Sequence, residues 1–221
     1  MTTVELAGRL IQRARSDIAG RTTANRFLDL LEAGEVPRQR LGWFAGEQHR
    51  IIGSDRRSFA LLASRYPESP AVDMFLGLAE GEGRALELLA DFAAALGWDE
   101  ADLKAYEPKP WAQAYPAYLA WNAVYGSSSA VALAVLVNLD EWGSYCARAA
   151  RALRARYDLP EEAVAFFRFF GQPPSHLAEQ AAAVIAAGLD GREDPGEAMR
   201  VARTLHAYEA AFWESLLEDL P

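Results

Sequence analysis

Apolar residues recur along this chain at intervals of three and four, and almost nowhere in strict alternation with polar ones. The first spacing is that of a helix burying one face, whereas a half-buried strand alternates with period two. The pattern predicts helices over 3–19, 24–33, 37–65, 70–97, 111–125, 127–156, 160–170, 174–189 and 194–218. Gly34 and Pro37, Pro67 and Pro70, and Asp158 to Pro160 separate neighbouring segments where helices end or cannot continue. Several segments run well beyond the usual length of about 12 residues, which predicts an all-α bundle of long antiparallel rods. The segment WDEADLKAYEPKP, 98–110, combines charge with two prolines and reads as an irregular loop around the outside.

The stretch VYGSSSAVALAVLVNL, 124–139, is almost free of charge, so its helix belongs near the centre of the bundle, with serine at 127–129 as its N-cap. Asn138 and Asp140 end that apolar run and need hydrogen-bond partners. No Gly/Ser or Pro-rich linker and no repeat of fixed period breaks the pattern, so the expectation is one domain, 1–221.

At 51% hydrophobic residues, 221 positions are enough for a sizeable core. A net charge of −9 argues against a nucleic-acid partner, because a polyanion is bound by a basic surface. The densest basic run, RAARALRARY at 148–157, reads as a solvated helix face. No run approaches the ~20 apolar residues that span a bilayer, so no membrane is expected. One cysteine, Cys146, allows no intrachain disulfide, and the N-terminal segment lacks the apolar run of a secretion signal; a cytoplasmic setting is expected.

Three histidines have carboxylates close by in sequence. Glu47 precedes His49 by two positions, while His176/Glu179 and His206/Glu209 are spaced to share a helix face. Dimetal carboxylate sites use Glu-x-x-His, and both pairs here run in the opposite order. They read as helix-surface pairs, with a metal site as the alternative. No nucleophile elbow, P-loop or dinucleotide glycine pattern occurs, so no cofactor is implied. Cys146 reads as a small buried hydrophobe rather than an activated thiolate.

The segment WAQAYPAYLAWNAVY spaces Trp111, Tyr115, Tyr118, Trp121 and Tyr125 as a broad helical stripe. It packs in the core, or it walls a pocket for a flat ligand with Tyr115 as donor. Near the C-terminus HAYEAAFWESLL sets Glu209 one turn before Phe212 and Trp213. That carboxylate is a surface charge, a metal ligand, or an acid held in an apolar pocket.

Taken together, GWFAGEQHRIIGSDRRSF, GLAEGEGRALELLADFAAALGW, AYPAYLAWNAVYGSSSAVALAVLVNLDEW and HAYEAAFWESL resemble the TenA/thiaminase II family of the haem-oxygenase-like fold over nearly the whole chain. The resemblance implies catalytic roles for Glu209 and for Tyr115 of AYPAYL. The glutamate early in the fourth helix falls at Glu82, with Glu80 as a competing register. The pyrimidine-binding aspartate falls near Glu47 and Gln48, so that acid is absent or displaced by one residue. The family's cysteine falls at Asn138, and Cys146 lies about two turns too late to replace it.

What the resemblance then implies is an enzyme of the kind that lacks the cysteine and hydrolyses a small aminopyrimidine or formylaminopyrimidine related to thiamin. Glu209 is its acid–base group and Tyr115 orients the substrate, which Glu47, Gln48, Glu82, Asn138 and Tyr118 bind. A homodimer or homotetramer without metal or cofactor is expected. One alternative is a non-catalytic member with a closed, dry centre in which Tyr115, Asn138 and Glu209 bond only to one another. Another is a divergent non-haem iron oxidase, whose ligand positions would fall at Ala85, Phe169, Pro173 and His176. A haem protein would need a proximal histidine in its first helix, and His49 is a poor match.

Overall fold

The computed structural model describes residues 2–172, 174, 176–218 and 220, and Pro173 lies outside them. Ten α-helices run through the described residues, with no strand among them. They are α1 (Thr3–Ala19), α2 (Arg26–Ala33), α3 (Arg38–Arg65), α4 (Ala71–Ala95), α5 (Glu100–Ala105), α6 (Ala114–Tyr125), α7 (Ser128–Tyr157), α8 (Ala165–Gly171), α9 (Leu177–Asp190) and α10 (Pro195–Ser215). A single 3₁₀ turn, Glu162–Val164, leads into α8. Among the described residues no helix is long and apolar enough to cross a membrane.

Local chemistry accounts for most of the ends. Thr2 and Glu5 form a capping box on α1, and the Asn25 side chain caps α2 at the Leu28 amide. Gly34 ends α2 at φ 78°, a left-handed conformation that costs glycine nothing. Asp194 caps α10, with Pro195 at the first helical position.

The segment 98–110 is not wholly irregular: Asp99 and Asp102 form a capping box that starts the short helix α5. The serine run does begin α7, but no serine side chain caps it. Glu193 does so instead, accepting from the Ser128 and Ser129 amides at 3.2 and 2.8 Å and placing a negative charge at the positive end of the helix.

From Ser128 to Asn138 every residue of α7 is buried, as its lack of charge requires. Around it the apolar side chains form two clusters. One joins α1, α9 and the first half of α7. The other is aromatic, with Phe44 within 5.1–6.3 Å of the rings of Phe92, Trp142, Phe166, Phe167, Phe212 and Trp213. Tyr115 and Leu139 pack against both clusters, and the cavity described below opens at that seam.

Candidate active site

The cavity has polar groups from five helices. Gln48 and Asp55 come from α3, Glu82 from α4, Tyr115 from α6, Asn138 from α7 and Glu209 from α10. Helical spacing aims them. Gln48, Ile51, Ile52 and Asp55 fall on one face of α3, Asn138 and Trp142 lie one turn apart on α7, and Glu209 precedes Phe212 by one turn. Ile51, Ile52, Leu139, Trp142, Phe170 and Phe212 form the apolar walls. Space for the centre of a water-sized sphere is about 50 Å³, enough for several waters that a small ligand would displace.

Glu209 sits at the inner end of a hydrogen-bonded chain. The Tyr115 hydroxyl donates to Asn138 Oδ1 at 3.0 Å, and Asn138 Nδ2 donates to Glu209 Oε2. Glu209 Oε1 and Asp55 Oδ1 are buried without a hydrogen-bond partner. Burial, and after it the charge of Glu141, raises the Glu209 pKa well above the usual carboxylate range, against the pull of the Asn138 amide. Burial and then Glu82 raise Asp55 in the same way, and burial pushes half-buried Glu82 up to about 8. The Tyr115 phenol is also raised, by burial first and then by Asp55, Glu209 and Glu82.

Among the described residues no lysine, arginine or histidine lines the cavity. Its three carboxyls therefore hold protons to higher pH than free carboxyls do. They can donate a proton, or lose it to accept N–H groups of a ligand.

Several expected site residues lie elsewhere. Glu47 is fully buried, and its carboxylate accepts from the Tyr106 hydroxyl at 2.9 Å, the Lys109 amide at 2.7 Å and Gln113 Nε2 at 2.5 Å. One residue on, the helix has turned by roughly 100°, so Gln48 faces the cavity while Glu47 ties the 106–113 segment to α3. An amide thus occupies the place where the resemblance put an acid. Of the two registers on α4, Glu82 lines the cavity and Glu80 is exposed.

Tyr118 also lies outside the cavity. It stacks on Trp121 at 5.9 Å and meets Tyr208 of α10 edge-on at 5.5 Å. The aromatic stripe is divided rather than buried as a unit, with Trp111, Trp121 and Tyr125 exposed.

The histidine pairs separate too. His206 Nδ1 lies 2.7 Å from Glu141 Oε2, whereas His176 and Glu179 are both exposed. His49 is half-buried on α3, its pKa lowered by burial first and then by Arg50 and Lys104. Ala85 is buried in the core and Phe169 packs against the aromatic cluster, so neither supplies a ligand to iron. Among the described residues no three His, Cys, Asp or Glu side chains group as a metal site. Cys146 is wholly buried, its thiol raised by burial and then by Glu209.

Asp55 is the polar lining residue that the sequence did not single out. Its signal was a lone acid seven positions after Gln48, on a face that carries Ile51, Ile52, Phe59 and Leu62.

In solved structures the same architecture recurs. A TenA homologue from Pyrococcus horikoshii OT3 superposes with a TM-score of 0.68 at 17% identity, covering 99% of this chain and 99% of its own. A domain of unknown function with a haem-oxygenase-like fold from Shewanella denitrificans OS217 gives 0.75 at 16% identity, covering 96% and 92%. A TenA-like thiaminase from Sulfolobus solfataricus P2, described as putative, gives 0.64 at 13% identity, covering 100% and 98%. At these identities the likeness is one of fold. No curated protein matches the chain in sequence. The sequence pattern of the TENA/THI-4/PQQC family, however, matches residues 17–219, and the chain belongs to that family, with its haem-oxygenase-like fold.

Proposed function

We propose that the protein is a cytoplasmic enzyme that hydrolyses a small heteroaromatic amine or amide, an aminopyrimidine or formylaminopyrimidine related to thiamin. Glu209 is its acid–base group and Tyr115 orients the substrate. The observation that carries this reading is the state of Glu209: buried beside Phe212 and Trp213, fixed at one oxygen by Asn138, and unpartnered at the other.

A carboxyl with a raised pKa holds its proton nearer neutrality and can give it to a departing nitrogen. In the hydrolysis, water forms a bond to the carbon as the carbon–nitrogen bond breaks. Glu209 gives its proton to the nitrogen and takes one from the water, so it ends as it began. With Asn138 at the family's cysteine position, water is the nucleophile. Gln48, Asp55 and Glu82 offer acceptors to the N–H edge of the ring, and Trp142, Phe170 and Phe212 offer apolar surface to its faces.

A non-catalytic member would need a centre closed on itself. Tyr115, Asn138 and Glu209 are bonded in series, but the adjoining cavity and the free oxygens of Glu209 and Asp55 favour an enzyme. Assay with aminopyrimidine and formylaminopyrimidine substrates, wild type against Glu209→Gln, tests the assignment. The exposed apolar face of Trp121, Val124 and Tyr125 on α6 is where a homodimer or homotetramer would form.

A further inference from the structure

Glu209 borders two cavities. On its far side from the substrate cavity lies a second one, lined by Thr22, Glu141, Tyr145, His206, Ala210 and Trp213, with about 40 Å³ open to the centre of a water-sized sphere. At roughly 10–15 Å³ for each water, a short file of waters fits there. Its walls form a connected polar group. Glu141 Oε1 accepts from Thr22 at 2.7 Å and from Tyr145 at 3.0 Å, and Glu141 Oε2 meets His206 Nδ1 at 2.7 Å.

We infer that this rear cavity is the port through which Glu209 exchanges its proton with solvent, with His206, held by Glu141, as the relay. The inference rests on Glu209 as the acid–base group. The hydrolysis returns one proton from water to Glu209, but an amine that leaves as an ammonium ion takes a second, and a ligand in the front cavity, packed against Trp142, Phe170 and Phe212, closes the solvent route on that side. Behind it, the imidazole, held in place by Glu141, takes up a proton from solvent, and a water carries a proton on to the Glu209 carboxylate. The imidazole is left neutral and the carboxyl restored. His206 and Glu209 share one face of α10, one turn apart.

The groups around Glu209 set the direction of its coupling. Asp55 of α3, Glu82 of α4 and Tyr115 of α6 face it across the front cavity. Glu141 and Tyr145 of α7 and His206 of α10 face it across the rear one, and Cys146 interacts with it from α7. Arg21, Arg26 and Glu214 stand among the other rear-lining residues. Burial raises the Glu141 carboxyl, but hydrogen bonds from His206, Thr22 and Tyr145 outweigh it and leave its pKa lowered. Glu141 is therefore an anion at neutral pH, and it makes Glu209 harder to ionise.

The test is a carboxyl ¹³C NMR titration of glutamate-labelled protein, with Glu209 assigned as the signal that Glu209→Gln removes. Glu141→Gln should move the Glu209 midpoint down by about half a pH unit or more. Ala210→Trp changes an exposed position and plugs the port; with an active substrate closing the front cavity, it should lower kcat at unchanged KM. An unmoved midpoint, or an unchanged kcat in the plugged variant, overturns the port. The midpoint needs no substrate, so failure to hydrolyse any pyrimidine counts against the proposed reaction and not against the coupling of Glu141 to Glu209. With an active substrate, His206→Gln should lower kcat about tenfold at unchanged KM, with added imidazole restoring it. Unchanged kcat, or loss without rescue, counts against the relay.

Discussion

The Asn138 amide donates to the Glu209 carboxylate, joining α7 to α10 where both helices border the cavity. Its other atom accepts from Tyr115, so one side chain fixes both residues assigned to catalysis. Asn138→Leu keeps the volume and removes both bonds. The Glu209 pKa should then rise further, since that hydrogen bond opposes the effect of burial. Stability should fall by about 1–3 kcal/mol, the cost of stranding buried polar groups. Urea unfolding checks the second effect and the ¹³C titration checks the first; a lowered Glu209 midpoint contradicts the arrangement.

Stability should decline between weakly acidic and weakly basic pH. A carboxyl whose pKa is raised by folding holds its proton longer in the native protein than in the unfolded chain. Its contribution is whole below the unfolded value of 4.5 and is lost as pH rises through the folded value, about 8 for Glu82. Asp55 and Glu209 act in the same direction. Asp17, held low by its hydrogen bonds to Arg203 and Arg21, acts in the opposite direction but only in strong acid. The Tm should fall between about pH 5 and about pH 8.5, less so in Glu82→Gln. Equal slopes in the two proteins contradict the assignment.

Glu47 is a structural anchor, and its removal should show that. Glu47→Ala strands the Tyr106 hydroxyl, the Lys109 amide and Gln113, and should cost about 3 kcal/mol. In the milder Glu47→Gln, KM for the pyrimidine should stay within about twofold of wild type while stability falls. A large rise in KM with stability intact would return Glu47 to the substrate. Gly46 tests the same joint: a Cβ there would overlap the Tyr106 ring, so Gly46→Val should loosen the 106–113 segment.

The oligomer proposed above would form through the exposed apolar face of α6. Wild type should run as a dimer or tetramer, and Trp121→Glu with Tyr125→Glu should run as a single chain in light scattering after size exclusion. A wild-type monomer, or an undisturbed oligomer in the double variant, removes that face from consideration.

Much of the fold could be read from residue spacing, because long helices repeat their apolar signal many times. The short helix α5 could not, since six residues carry little periodicity and its capping box sits among charges that also suit a loop. The cap on α7 was hidden for another reason: Glu193 reaches it from the turn before α10, a contact made only by folding. The site divides in the same way. Tyr115, Asn138 and Glu209, named by motif, and Gln48 and Glu82, named by register, all line the cavity. Glu47 lies outside the cavity because adjacent helical residues point about 100° apart, and Tyr118 because a stripe with mixed three and four spacing drifts around its helix. Asp55 was missed because an isolated acid on an apolar face marks no motif until Glu82 arrives beside it from α4.

Glu209 is proposed to move the proton in a hydrolysis. The most direct test of that role is single-turnover and steady-state hydrolysis of aminopyrimidine and formylaminopyrimidine substrates by wild type and by Glu209→Gln, which keeps the shape of the side chain and cannot exchange a proton. The wild type should form product, and kcat should be lower by at least about 100-fold in the variant, with KM little changed. Full turnover by Glu209→Gln would contradict it.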